Sequence, residues 1–272
     1  MGKVISMSEV RVFNKDYLVS RVISFGKIVD GYNKTFYKTN EDLVDAYLDV
    51  DFKDKDVISV LASGDQVLTA RYLDAKAVDS FDYNPLTIYY FYLRLWTLKY
   101  RRLLYPKIMD GDNTWLYYLL QWVQPRNEQE ALAKQYFELH VHDNTQMDQL
   151  FYDLEMQPEG RTLFTKPEEL VECLSPELTF YPINLFEEFH LPKQYDIGLI
   201  SNILDSSKVD PEKIQIAYEN LDRLIRPGGS VICSKLHYRT RDETDKEKRI
   251  FEKSFEFIPK EEGYVYQKKN LC

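Results

Sequence analysis

Short apolar runs bounded by turn residues alternate with helix-period stretches from residue 56 onward, the pattern of strands and helices layered around a mostly parallel sheet. The runs predict strands at Val57–Leu61, Lys76–Phe81, Leu178–Ile183, Ile197–Ser201 and Ser230–Lys235. Two more, Ser254–Pro259 and Gly263–Lys268, flank "KEEG" and read as a terminal antiparallel hairpin. In "VDPEKIQIAYENLDRLI", Asp210 stands at a capping position and Pro211 at the first helical one. Ile214, Ala217, Leu221, Leu224 and Ile225 follow at helical spacing, and "RPGG" ends the helix before the next strand. "TKPEELVECL" repeats the device with Thr165 and Pro167.

One interval breaks the alternation. Ninety-five residues separate Asp82 from Leu178, where a strand-helix-strand crossover needs about thirty. Their pattern predicts helices at Leu86–Tyr105, Thr114–Val123, Asn127–Leu139, Thr145–Leu154 and Glu168–Leu174. The expected architecture is therefore α/β: a doubly wound, mostly parallel seven-stranded sheet with a terminal hairpin and a helical insertion. Residues 1–55 form a lead-in or lid segment, and residues 56–272 a Rossmann-like domain carrying a cap at 86–175 after the second strand.

Composition narrows the function classes. With 272 residues, 44% hydrophobic, 10 Gly and 11 Pro, the chain has the makings of a packed core. A net charge of −9 argues against a general nucleic-acid backbone binder, which needs a basic surface. Three widely spaced cysteines, Cys173, Cys233 and Cys272, give neither a disulfide framework nor a zinc knuckle, and point to a reducing, cytoplasmic setting. No window has the ~18 consecutive apolar residues of a membrane span, and the start lacks the apolar centre of a signal peptide. The 21 Tyr and 15 Phe read first as core with wet edges, and leave room for a homodimer face.

Candidate chemistry sits where open α/β sheets bind ligands, just beyond the carboxyl ends of the strands. Those positions hold Ala62-Ser63-Gly64-Asp65, Asp82-Tyr83-Asn84-Pro85, Asn184, Ser201-Asn202 and Lys235-Leu236-His237. The set is polar and acidic, which favours a neutral or cationic nucleoside over a polyphosphate. Asp82, about 18 residues beyond the Gly64 turn, is placed to accept bonds from both ribose hydroxyls; as a plain structural residue it would be the helix N-cap before Pro85. Gly64 lets backbone approach a ligand, and Asp65 offers a carboxylate to a ligand ammonium. "HVHDN", with His140, His142 and Asp143, lacks the second cluster that a metal site requires. "LKYRRLLYP" presents Lys99, Arg101 and Arg102 to an anionic acceptor, a lipid headgroup or simply water.

Taken in order, "TNEDLVDAYL", "VLASGDQVL", "FDYNPLT", "YDIGLISNILD" and "RLIRPGGSVI" resemble a class I S-adenosylmethionine-dependent transferase. Within that superfamily the chain is similar to the betaine-lipid-synthase type of 3-amino-3-carboxypropyltransferase. The resemblance implies S-adenosylmethionine as cofactor, Ser63, Gly64 and Asp65 on its binding turn, Asp82 on the ribose, Asn184 near the adenine, and Ser201 and Asn202 after the fourth strand. The chain departs from that type in having Asn40 before Glu41-Asp42, where the family tends to have Trp. The group moved is then a methyl or an aminocarboxypropyl, onto a small-molecule or lipid acceptor. His237, Tyr37 and Tyr32 are candidate general bases if the acceptor must lose a proton; each also reads as an ordinary packed or surface residue. A dinucleotide oxidoreductase is disfavoured, since the G-x-G-x-x-G turn is missing. The rival class is a non-catalytic binding or interaction protein built on the same fold.

Overall fold

The computed structural model describes residues 35, 37–39, 41–141, 151, 162–164, 166–171, 179–201, 203–205, 211–234, 254–259 and 263–270. Seven strands are present: β1 (Asp56–Val60), β2 (Ala77–Phe81), β3 (Thr179–Tyr181), β4 (Tyr195–Ser201), β5 (Ile225–Ser234), β6 (Phe255–Pro259) and β7 (Gly263–Lys268). They form one sheet in the order β3-β2-β1-β4-β5-β7-β6. The pairs β1/β2, β1/β4, β2/β3 and β4/β5 are parallel, while β7 runs antiparallel to both β5 and β6. This is the doubly wound seven-stranded sheet with a terminal hairpin that the sequence predicts. The order reverses at β1, with β2 on one side and β4 on the other, so the crevice of the sheet opens between the carboxyl ends of β1 and β4.

The two faces are set by alternation along each strand. In β1, Ile58 and Val60 join one core with Tyr195, Ile200, Ile214, Ala217 and Leu221. Val57 and Leu61 point the other way, to Leu43, Val67, Leu68, Phe91 and Leu98. Both faces are thus covered by helices, which is why the strands read as nearly continuous apolar runs. The covering helices are α1 (Leu43–Tyr47), α2 (Asp65–Tyr72) and α3 (Pro85–Tyr100) on one face, with α8 (Pro211–Leu224) on the other. Between β2 and β3 lie α3, a 3-10 helix (Arg102–Leu104), α4 (Tyr105–Met109), α5 (Asn113–Trp122), α6 (Glu128–Val141) and α7 (Pro167–Val171).

A third core accounts for much of the aromatic content. Tyr89, Tyr90 and Leu93 of α3 pack with Leu116, Leu119 and Leu120 of α5, Phe137 of α6 and Phe151. Since Phe91 and Leu98 of the same helix face the sheet, α3 is apolar nearly all round, as a helix buried between layers must be.

Several boundaries shift by one or two residues, and two differ from expectation by more. The long helix after β2 stops at Tyr100, because Arg101 leaves helical backbone (φ −145°, ψ 48°) and Pro106, which has no N–H to donate, lies in the first turn of α4. At the other end, "RPGG" is not a loop ahead of β5 but part of it. Tyr195 pairs with Ile225 and Ile197 with Ser230, so the four residues between form a bulge. Gly229 makes that bulge possible, since a Cβ there would stand 2.7 Å from the Asp196 carbonyl oxygen. The first residue of α8 is Pro211 as expected; its proposed cap Asp210 and most of the predicted Thr145–Leu154 helix lie outside the described residues.

Candidate functional site

The carboxyl ends of β1, β2 and β4 are tied together by backbone and carboxylate. Leu61 N–H donates to the Phe81 carbonyl (2.9 Å), extending the β1/β2 ladder one step past the strand. The chain then turns through Ala62 with φ +44° and Gly64 with φ +88° before α2 begins. At the end of β4, Ser201 also has positive φ (+58°). Ala62 and Ser201 are non-glycine residues in left-handed backbone, each at a cost of about 1–3 kcal/mol, and they flank the switch point. Asp54 and Asp74 share this backbone but are of the residue type that tolerates it.

Asp82 joins two of these ends. Its Oδ2 accepts from Ala62 N–H (3.3 Å) and its Oδ1 from Asn84 N–H (2.8 Å). Burial pushes its pKa from the ordinary carboxylate range up to about 7, against the opposing pull of backbone N–H donors from Asn84, Ala62 and Tyr83. Asp82 does not cap α3. That role belongs to Asn84, whose Oδ1 accepts from Leu86 N–H (3.0 Å), which leaves the Asp82 oxygens with further acceptor positions for a ligand.

The raised pKa makes a stability prediction. In the folded state Asp82 binds its proton more tightly than in the unfolded chain, so it favours folding at low pH. That contribution falls as pH rises from about 4 to about 7 and is then constant. Thermal unfolding of the protein and of D82N, at pH 5 and at pH 8, isolates it: the wild type is expected to lose more stability between the two pH values than the variant, by on the order of 2 kcal/mol.

Asp65 is committed to the fold rather than to a ligand ammonium. Its Oδ1 receives the Arg94 guanidinium (2.6 Å), and its Oδ2 accepts from Thr39 N–H (2.6 Å) and Ser63 Oγ (2.9 Å). Arg94 is fully buried and also donates to the Ser63 carbonyl and to Tyr105 Oη. Burial disfavours its charged form, but the Asp65 carboxylate, with Tyr105 and Tyr90 beside it, together more than offset this and raise the guanidinium pKa above its already high value. Neither Arg94 nor its bridging role is marked by any motif in the sequence.

Glu41 forms the second bridge. Its carboxylate accepts from Ser201 Oγ and from Gln66 Nε2 (2.7 Å), and Glu41 N–H donates to Thr39 Oγ1 (3.1 Å). Thr39 and Glu41 thus lie at the β1/β4 crevice, Thr39 bonded to Asp65 of α2 and Glu41 to Gln66 of α2 and to Ser201 of β4. Of the predicted residues, Ala62, Ser63, Gly64, Asp65, Asp82, Asn84 and Ser201 are gathered here.

Others are placed differently. Asn184 follows β3, where its Oδ1 accepts from Phe186 N–H (3.1 Å) and closes a turn. Tyr37 is a packed residue of the helical core, its ring stacked on Phe151 (3.9 Å between centroids) and its hydroxyl donating to Asn113 Oδ1 (3.2 Å). That geometry fits the packed-residue reading of Tyr37. Asn202, His237, Tyr32 and Asn40 lie outside the described residues. Beside Asp65 and Thr39 a cavity of about 240 Å³ opens, lined also by Lys38, Tyr105, Thr162 and Lys166.

No family model matches the chain, and no curated protein matches it. Among solved structures it is similar to the N-methyltransferase NodS of Bradyrhizobium japonicum WM9, at 8% identity over 95% of this chain and 100% of that one, with a TM-score of 0.40. A TehB-like SAM-dependent methyltransferase of Corynebacterium glutamicum gives 11% identity over 94% and 100%, TM-score 0.40. A ribosomal protein L11 methylase of Lactobacillus delbrueckii gives 12% identity over 80% and 72%, TM-score 0.36.

Proposed function

We propose that this chain is an S-adenosylmethionine-dependent transferase that moves a methyl or a 3-amino-3-carboxypropyl group to a small-molecule or lipid acceptor. The observation that carries the reading is Asp82, a half-buried carboxylate at the end of β2, fixed by backbone N–H donors and still able to accept from both hydroxyls of a ribose. The donor set fits the cofactor's charge. Asp82 and Glu41 flank the crevice while Arg94 is paired internally with Asp65, an arrangement that favours a sulfonium over a polyphosphate.

When bound, the cofactor would supply a carbon activated by its sulfonium, open to displacement by an acceptor lone pair with the sulfur keeping the electron pair of the broken bond. The chain's own residues position the partners. Asp82 would hold the ribose and the Ala62–Gly64 backbone the methionine end, while Asn84 caps the start of α3 beside them. Residues 1–55 act as a lid, through Thr39 and Glu41, and residues 86–175 as a cap over the acceptor.

Isothermal titration with S-adenosylmethionine and S-adenosylhomocysteine tests this. Micromolar binding is expected, weakened about a hundredfold in D82A by loss of two charge-assisted bonds. No binding at millimolar ligand would overturn it. Below pH 7 protonation of Asp82 removes an acceptor, so affinity should drop by up to about tenfold per pH unit, and D82N should flatten that dependence. Product analysis separates the transfers: S-adenosylhomocysteine reports methylation and methylthioadenosine reports aminocarboxypropyl transfer.

The internal bonding of Asp65 and Ser201 favours a second reading, a non-catalytic nucleoside-binding protein. Adenosine and S-adenosylmethionine binding equally well would support it, since a transferase must also hold the methionine end.

A further inference from the structure

The chain's charge is unevenly distributed. Overall it carries −9, yet between Asp82 and Asp110 no acidic residue occurs, and Arg94, Lys99, Arg101, Arg102 and Lys107 do. Arg94 is buried with Asp65, whereas the other four are exposed, and they surround the break between α3 and α4.

Of the six exposed large apolar side chains among the described residues, Leu48 and Ile258 stand apart and the other four lie at or near the same place. Leu103 is 89% exposed, at the tip of the 3-10 helix, with Tyr100 at 52%, Trp122 at 46% and Tyr118 at 45%. The rings form one surface, and Leu103 stands two residues after Arg101 of that surface. The Arg101 guanidinium lies over both Trp96 (5.8 Å) and Trp122 (5.9 Å), Trp122 stacks on Tyr118 (6.3 Å), and Trp96 contacts Tyr100 (5.3 Å), over whose ring sits Lys99 (5.3 Å). Scattered apolar residues need no explanation, but a contiguous aromatic patch rimmed by cations on an acidic protein does.

We propose that this face, centred on Leu103 and the α3/α4 break, docks on an anionic lipid bilayer. Trp and Tyr rings settle at the headgroup level, an aliphatic tip enters the acyl boundary, and Lys and Arg meet the negative surface. A single-stranded nucleic acid fits less well. It needs open ring faces for base stacking, and here Arg101, Lys99 and the neighbouring rings already occupy them. Geometry gives the docking a consequence: α4 follows directly on Leu103 and Leu104, and its Tyr105, Pro106 and Met109 line the 240 Å³ cavity. The docking itself rests on surface residues alone and stands or falls independently of the transferase reading.

Sedimentation of the full chain with phosphatidylcholine vesicles, with and without about 30 mol % phosphatidylserine, tests it. Binding to the phosphatidylserine vesicles alone is expected, with loss at high salt. R102E/K107E should weaken it about thirty-fold, and L103D about tenfold, with melting temperatures unchanged because all three side chains are exposed. Equal binding to both vesicle types, no binding to either, wild-type binding by both variants, or displacement from vesicles by a short single-stranded RNA bound at the same patch would each overturn the proposal.

Discussion

Replacing Arg94 by methionine is expected to cost the fold about 3–5 kcal/mol, read as a drop in the urea midpoint at unchanged slope. The magnitude comes from what is left behind. Arg94 is fully buried in the middle of α3 and holds three elements at once: the turn after β1 through the Ser63 carbonyl, α2 through Asp65, and α4 through Tyr105 Oη. Methionine fills much of the space but leaves the Asp65 carboxylate buried, with only Thr39 N–H and Ser63 Oγ to compensate it. A paired buried charge is not itself strongly stabilising, and here Nε of Arg94 has no hydrogen-bond partner among the described residues. The double variant D65N/R94M should therefore recover a large part of the loss, giving a coupling energy of about 2 kcal/mol in the double-mutant cycle. A loss below about 1 kcal/mol in R94M would mean that water reaches the pair and screens it.

Arg94 also shows where sequence reading stops. The strands were legible because each apolar run is bracketed by turn residues, and the strand ends then named Gly64, Asp82 and Ser201 without any structure. In the tract from Leu86 to Trp96, apolar residues face both the sheet and the helical layer, so periodicity had nothing to report and the break at Arg101 was missed. The one available signal was chemical: an arginine inside a buried apolar run must find a carboxylate. Which carboxylate depends on how α2 and α3 pack, and no spacing rule supplies that. Asp82 and Asn84 illustrate the same limit at close range. Both are capping types two residues apart, and Asn84 caps because it directly precedes Pro85, the first residue of the helix. Glu41 was visible only as half of a Glu-Asp pair, since its partners Gln66 and Ser201 lie 25 and 160 residues away. In "RPGG", turn-forming residues sit inside a strand because β5 bulges past Asp196, a long-range fact that local chemistry misread as a stop.

The lone glycine of the turn after β1 should be nearly irreplaceable. Gly64 has φ +88°, and a Cβ built there falls 2.1 Å from Cδ2 and 2.2 Å from Cε2 of Phe91. Phe91 is fully buried and packs edge-on against Phe180 (5.9 Å), so its ring has little room to yield. Left-handed backbone at an alanine costs about 1–2 kcal/mol and overpacking about 1–3 more, so G64A is expected to lose about 2–5 kcal/mol. The two causes separate in the G64A/F91L variant. Against an F91L background the glycine substitution should cost only the backbone share, because the shorter side chain vacates the clash. The same pair distinguishes structure from ligand binding. If the Ala62–Gly64 backbone lies against the methionine end of the cofactor, G64A/F91L should fold yet bind S-adenosylmethionine less tightly than F91L, since the added methyl stands where the turn must be bare. Equal affinity in the two variants would assign Gly64 wholly to the packing of α2 on Phe91, and the methionine end would then have to be held by other groups of the crevice.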